Sequence, residues 1–320
     1  MKIDLSYNNF SDSSVPLDYC PETLNLYRSF SGRNNSVLGR CLSPCSTDMY
    51  ALHINCGGST TTIGKTTYEA DQNSAGEAKY NPSPRNWGTS STGQFWDRRT
   101  TSNEYIAKNV YVLRMSDSEL YTTARLSPLS LTYYARCLAN GNYTVTLHFA
   151  EIIFRDSRSY QSLGRRVFDV YIQAERKLKD FDIKNEAQGV DKAVKRIFKA
   201  VVSDKILEIR FQYTGKGTTT IPVSGIYGLL VSAISIESDF KPPDNRKKKI
   251  IIAIGVSASG LCLILSLIGI AWWSGHLGGR RSRSRSREQG IVTLPSQYSL
   301  VRKEVPKFYY HCGNMNCSLR

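Results

Sequence analysis

The chain reads as an all-β protein, a two-sheet antiparallel sandwich of jelly-roll type, followed by a single transmembrane α-helix. Three observations predict this. Apolar and polar residues alternate with a period of two in several segments between residues 49 and 239, turn-forming residues separate those segments, and Ile250 to Trp273 is apolar without one charged side chain.

The alternation is clearest where Tyr143, Val145, Leu147 and Phe149 oppose Thr144, Thr146, His148 and Ala150, after the turn-like Asn140-Gly141-Asn142. Phe168, Val170 and Ile172 likewise oppose Asp169, Tyr171 and Gln173, and Leu207, Ile209 and Phe211 oppose Glu208, Arg210 and Gln212. Further strands are expected at Ala51 to Cys56, Asn109 to Leu113, Leu120 to Leu126, Val194 to Val202 and Gly228 to Ile236. Tyr80 to Asp97 is too rich in Gly, Pro and Ser for a strand and reads as a loop bearing Trp87, Phe95 and Trp96. Those rings suit sugar stacking or protein contact, and equally a lid over the core.

At ~1.5 Å rise per residue, the run 250–273 is long enough to cross a ~30 Å hydrocarbon core as a helix. Gly255, Ser259 and Gly260 offer a small-residue surface for pairing with another span, giving homo- or hetero-oligomers. The net charge of +15 brings nucleic acid to mind, but residues 1–245 carry 29 Lys/Arg against 25 Asp/Glu. The excess sits at Arg246 to Lys249 and in the tail 274–320, where basic residues meet anionic lipid headgroups, so the bilayer and not nucleic acid is the expected partner. RRSRSRSR, Arg280 to Arg287, reads accordingly as a juxtamembrane stop signal rather than an RNA-binding Arg-Ser segment. Basic clusters at both ends of the span leave only a small preference for a cytoplasmic tail.

Cys20, Cys41, Cys45, Cys56 and Cys137 are disulfide candidates, and sequons at Asn9, Asn34 and Asn142 are glycosylation candidates; both fit an oxidising, glycosylating compartment. Five cysteines leave one thiol unpaired or bonded to another chain. Met1 to Phe10 lacks the apolar core of a signal peptide, so the chain is expected to be a fragment of a longer product, or else the span itself targets it.

Residues 1–11 place Ile3, Leu5, Asn8 and Phe10 at leucine-rich-repeat spacing, as in a last, partial repeat, with a frayed terminus as the alternative. Residues 12–48 then read as a Cys-containing linker, 49–239 as the β domain, 250–273 as the span and 274–320 as a basic cytoplasmic tail without fixed structure. No metal-ligand spacing and no nucleophile beside a base is present, so neither a cofactor nor a catalytic residue is assigned.

The motifs LHINCGG at Leu52 to Gly58, NYTVTLHFAEIIF at Asn142 to Phe154, RVFDVY at Arg166 to Tyr171 and DFDI at Asp180 to Ile183 resemble the malectin domain in order and spacing. The match is to its plant form, which lies between leucine-rich repeats and the span of receptor-like kinases. The resemblance implies a malectin-like jelly roll over 49–239, an outward-facing amino terminus at the plasma membrane in type I topology, and cell-wall oligosaccharide or a receptor ectodomain as partner. It implies no enzyme activity in this chain, because no Gly-rich phosphate loop, HRD or DFG follows Trp273. Animal malectin binds a glucose disaccharide through aromatic rings and a carboxylate. Here two of those ring positions fall on Leu126 and Ile153, only Phe154 keeps a ring, and the carboxylate loop matches Thr214 to Thr220, which has no acid. Tyr121, Tyr133, Tyr134 and Phe154, with Trp87 and Trp96, are the remaining candidate ligand contacts.

Overall fold

A computed structural model describes residues 2–10, 24–29, 45–95, 105–109, 111, 113, 115–155, 160, 163–219, 225–243 and 260–273. The chain divides into two units, Met1–Pro243 and Asp244–Arg320.

The first unit is a sandwich. Strands β1 (Ile3–Asp4), β2 (Leu24–Asn25), β6 (Ala78–Pro82), β7 (Trp87–Thr92), β10 (Ser130–Arg136), β12 (Arg166–Ile172), β13 (Glu175–Phe181) and β15 (Ile206–Gly217) form an eight-stranded sheet in the order β13-β12-β15-β10-β7-β6-β1-β2. Strands β3 (Ala51–Cys56), β4 (Thr61–Ile63), β5 (Thr66–Asp71), β11 (Gly141–Phe149), β14 (Val194–Val202) and β17 (Ala233–Ser238) form a second sheet, ordered β14-β11-β17-β3-β5-β4. A third, small sheet, β16-β9-β8, joins Leu229–Val231, Thr123–Ser127 and Ile106–Lys108.

The alternating residues face inward as their period requires. Tyr143, Val145, Leu147 and Phe149 of β11 meet Phe168, Val170 and Ile172 of β12 and Leu207, Ile209 and Phe211 of β15 in one buried core. Phe149 sits at its centre, with ring centroids 4.9 Å from Phe181, 6.0 Å from Phe168 and 6.1 Å from Phe211. Each such buried ring removes enough apolar surface from water to contribute roughly 1.5–3 kcal/mol.

Four sequence expectations need correction. Within Tyr80 to Asp97, expected to be a loop, β7 pairs with both β6 and β10. The small side chains of WGTSST are what permit it: a Cβ on Gly88 would lie 2.9 Å from the Tyr80 ring, so the crowded centre of the sheet selects Gly, Ser and Thr there. The strand expected at Asn109 to Leu113 falls instead at β8, just before it. Leu120 to Leu126 splits into a 3-10 turn, Ser118–Tyr121, and β9, because Tyr121 turns inward to fill the core. Cys56 forms no disulfide; it lies in β3 as a free, buried thiol, and burial pushes its pKa up. Cys45 pairs with Cys137, while Cys20, Cys41, Asn34 and Trp96 lie outside the described residues.

Within the reach expected to be a linker, β2 lies parallel to β1, with Ile3 opposite Leu24 and Asp4 opposite Asn25. Asn8 Nδ2 donates to Leu5 O at 2.8 Å, closing the turn after β1. Ile3 also pairs with Lys79 of β6, so these strands extend the sandwich sheet itself.

In the second unit residues 260–273 are helical. Among the described residues no helix is long and apolar enough to cross a membrane; residues 250–259 of the apolar run lie outside them.

The Cys45–Cys137 bridge spans a sequence separation of 92. Closing a loop of that size restricts the unfolded chain, so Cys137→Ser is expected to lower stability by about 4 kcal/mol in urea titration. Iodoacetamide should leave Cys56 unmodified until the protein is unfolded.

Candidate functional site

A buried ion pair shapes the loops of the sandwich. Glu151 continues the inward row Tyr143, Val145, Leu147, Phe149 one step past the end of β11, and Arg166 opens the inward row of β12. Arg166 Nε donates to Glu151 Oε2 at 2.9 Å, with both side chains 1% exposed. Arg166 Nη1 and Nη2 donate to Gly228 O at 2.8 Å and Ile226 O at 2.9 Å. The other oxygen, Glu151 Oε1, accepts from Ile153 N and Phe154 N, each at 3.0 Å. Every group is satisfied, so the pair acts as a rivet between three loops rather than as a reactive centre.

Beside this rivet lies a cavity of about 470 Å³, lined by Phe154, Leu163 to Arg166 and residues of the short helix α1 (Ile183–Ala187) and the turn after it. Asp182 caps α1 by accepting from Asn185 N at 3.1 Å, and its second oxygen accepts from Arg165 Nε at 2.9 Å. Lys184, Asn185, Gln188 and Arg165 give the walls a hydrogen-bonding character.

The aromatic candidates do not gather on a surface. Tyr121 is fully buried, with its hydroxyl 3.0 Å from His148 Nδ1. Tyr133 donates to Asp71 Oδ2 at 2.7 Å, and Trp87 Nε1 donates to Glu69 Oε2 at 2.6 Å. Tyr134 packs edge-on against Tyr27, which follows β2, with ring centroids 5.0 Å apart. Phe154 alone lines the cavity, yet it is 1% exposed. The Arg166 guanidinium lies 4.9 Å from its centroid, and a Cβ on Gly164 would come within 2.2 Å of it. None of the five therefore offers an open ring face for stacking, which corrects the expectation: rings this large stabilise more by filling the core than by waiting at the surface. Leu126 is buried and Ile153 partly so.

A model of the malectin domain matches residues 50–234. The chain belongs to the malectin-domain family. Two probable LRR receptor-like serine/threonine-protein kinases of Arabidopsis thaliana, At1g07650 and RFK1, are 43% and 41% identical to this malectin chain over 288 and 313 residues. The alignments cover 84% and 91% of this chain but 28% and 30% of those proteins, so the chain spans less than a third of their length. The crystal structure of the plant receptor-like kinase FER aligns over 61% of this chain and 42% of that one, at 19% identity and a TM-score of 0.40, too slight a likeness to bear on ligand.

The residues that organise the malectin site's loops, Glu151 and Arg166, were missed as site residues although both stand in quoted motifs. The available signal was parity: each is a charge in an inward-facing row, and a charge there needs a buried partner.

Two outcomes are expected. Arg166→Met strands the Glu151 carboxylate and should cost about 3–5 kcal/mol in urea unfolding. His148 is buried facing Tyr121, Tyr68, His53, Lys195 and Asp117, and burial lowers its pKa to about 4. The unfolded chain therefore takes up the proton first, so stability present above pH ~6.5 should fall by up to about 3 kcal/mol as the pH drops towards 4. His148→Gln should flatten that part of the profile.

Proposed function

We propose that this chain is the recognition and anchoring part of a single-pass plasma-membrane receptor-like protein, with its malectin domain outside the cell. The observation that carries the reading is the helix at residues 260–273. Leu261, Leu263, Ile264, Leu265, Leu267, Ile268, Ile270, Trp272 and Trp273 are all exposed, so apolar side chains project around its whole circumference. Lipid is the environment in which such a helix is stable, and the apolar run from Ile250 to Trp273 has the length that a span needs. The Cys45–Cys137 bridge and the exposed sequon residues Asn9 and Asn142 support an extracytoplasmic sandwich. The basic tail then lies in the cytoplasm, and Gly255, Ser259 and Gly260 are the surface for pairing spans.

Outside the cell the malectin domain recognises cell-wall carbohydrate or a partner ectodomain, with the cavity beside Phe154 as the ligand site and its polar lining as the basis of selection. Kinase activity belongs to the parts of the relatives that lie beyond the matched region. A second reading, a protein-interaction co-receptor or decoy without sugar binding, draws support from the burial of Tyr121, Tyr133, Tyr134, Phe154 and Trp87.

The expressed chain should remain with membranes in alkaline carbonate, should shift in mobility on deglycosylation, and should show only weak binding to maltose or nigerose on a glycan array. Release by carbonate would overturn the anchor. A blank array together with a plasma-membrane protein captured by pull-down would favour the second reading.

A further inference from the structure

Strand β14 (Val194–Val202) closes one side of the six-stranded sheet, and all 9 of its residues pair with β11 without a bulge. Asp239 N donates to Asn142 O and Ser232 N to His148 O, each at 2.9 Å, so those two residues of β11 turn their backbone groups towards β17. Val201 and Lys195, which stand opposite them in β14, therefore point their N–H and C=O away from β11, and by the period of two Ile197 and Lys199 do the same. Gln173 Nε2 reaches the Val201 carbonyl at 3.3 Å, but among the described residues no strand pairs with this edge. It is an open backbone ladder of the kind to which a further strand can add.

The side chains leave this edge unguarded. Lys195, Arg196 and Lys199 are the residues that would repel a second strand, but Lys195 is bound to Asp117 at 3.1 Å, Lys199 to Asp239 at 2.9 Å and Arg196 to Glu186. Between them the β-branched Ile197 and Val201 are 66% and 65% exposed. On the inner face Phe198 is only partly buried, so the core is open at this margin. A second copy of β14 is the strand that fits. A two-fold pair that keeps both pleats in step runs antiparallel. Centred on Phe198, it matches the whole strand: Val194 meets Val202, Arg196 meets Ala200, Phe198 meets its counterpart, Ile197 meets Lys199 and Lys195 meets Val201. Centring on Ile197 would oppose Lys195 to Lys199, and centring on Lys199 would oppose that residue to itself, so charge selects the first register. In it the edge-facing backbone groups of each copy meet those of the other, as hydrogen-bonded pairs require. Asn142 lies one strand in from the edge, so a glycan there leaves from the face of the sheet.

We propose that β14 is a self-association surface, through which two copies of this chain join antiparallel about Phe198 into one continuous sheet. The contact needs neither a ligand nor pairing of the apolar runs 250–273. Its strength comes from backbone bonds along the edge together with the covering of Ile197, Val201 and Phe198.

The test is sedimentation velocity of the full chain in detergent micelles, which should show a dimer that dissociates on dilution. Ile197→Pro removes an edge-facing N–H while leaving the β11 ladder whole, and should be monomeric at concentrations where wild type is paired. Ile197→Lys sets like charges opposite one another and should raise the dimer dissociation constant about tenfold, whereas Ile197→Glu, which meets Lys199 of the second copy, should stay within about threefold of wild type. Because Ile197 is exposed, the Lys and Glu variants should unfold at the wild-type temperature. Under mild oxidation Phe198→Cys should cross-link two copies through residue 198 and Val201→Cys should not, because this register alone brings residue 198 beside its counterpart. A monomeric wild type would overturn the proposal, and so would a dimer left intact by Ile197→Pro and Ile197→Lys, as one held by the apolar runs would be. Equal weakening by Lys and Glu, or a cross-link at residue 201 in place of 198, would overturn the register.

Discussion

The carboxylate of Asp71 is where the three sheets of this protein meet. It ends β5 in the six-stranded sheet, receives Arg125 Nε of the three-stranded sheet at 3.0 Å, and receives the Tyr133 hydroxyl of the eight-stranded sheet at 2.7 Å. Arg125 Nη2 also donates to both the carboxylate and the backbone oxygen of Asp71, and Nη1 donates to Asn73 O at 2.8 Å. Both charged side chains are 1% exposed. Burying two ions costs several kcal/mol each, so the arrangement persists only because nearly every donor and lone pair is used. Apolar residues of like volume could fill the same space, but they would slide past one another, whereas this network fixes the register of three sheets at one point.

The Glu151–Arg166 pair repeats that logic nearer the surface and explains why the cavity has the walls it has. One carboxylate holds the turn after β11, and one guanidinium holds the carbonyls of Ile226 and Gly228 just before β16. Phe154 is trapped between that guanidinium and the Gly164 backbone. The ring that a comparison of motifs singles out for ligand stacking is therefore part of the floor.

How far the sequence was legible follows from this. Period-two alternation marks the strands that cross the core, and β11, β12, β14 and β15 fall where it places them. It does not mark β6 and β7, because strands crowded on both faces take Gly, Ser and Thr, which resemble turn residues. Composition identifies Tyr121, Tyr133, Tyr134 and Trp87 as large amphipathic rings, but the same chemistry serves a buried hydroxyl with a partner or an exposed stacking face. Only the fold decides between them. Tyr111 shows the converse: it stands where a strand was expected, yet it is exposed and held by Arg155 and Asn109.

Residues 2–10 and 24–29 illustrate how a boundary drawn from composition can miss a physical continuity. Tyr7 adopts a positive φ of 61°, which turns its side chain back so that its hydroxyl donates to Glu208 on the outer face of the eight-stranded sheet. Arg210 is held between the Tyr7 and Tyr171 rings, 4.9 Å and 4.8 Å from their centroids, and Asn25 Nδ2 donates to Ser90 Oγ at 2.9 Å. A flexible tether would leave Glu208 and Arg210 as ordinary surface charges. Instead Glu208 is 1% exposed, a state tolerable only while Tyr7 and Arg28 cover it. Separating these two segments from the sandwich would have to rehydrate that carboxylate, uncover Tyr134 and break the β1–β6 pairing together. These contacts tie residues 2–10 and 24–29 to the sandwich within one unit.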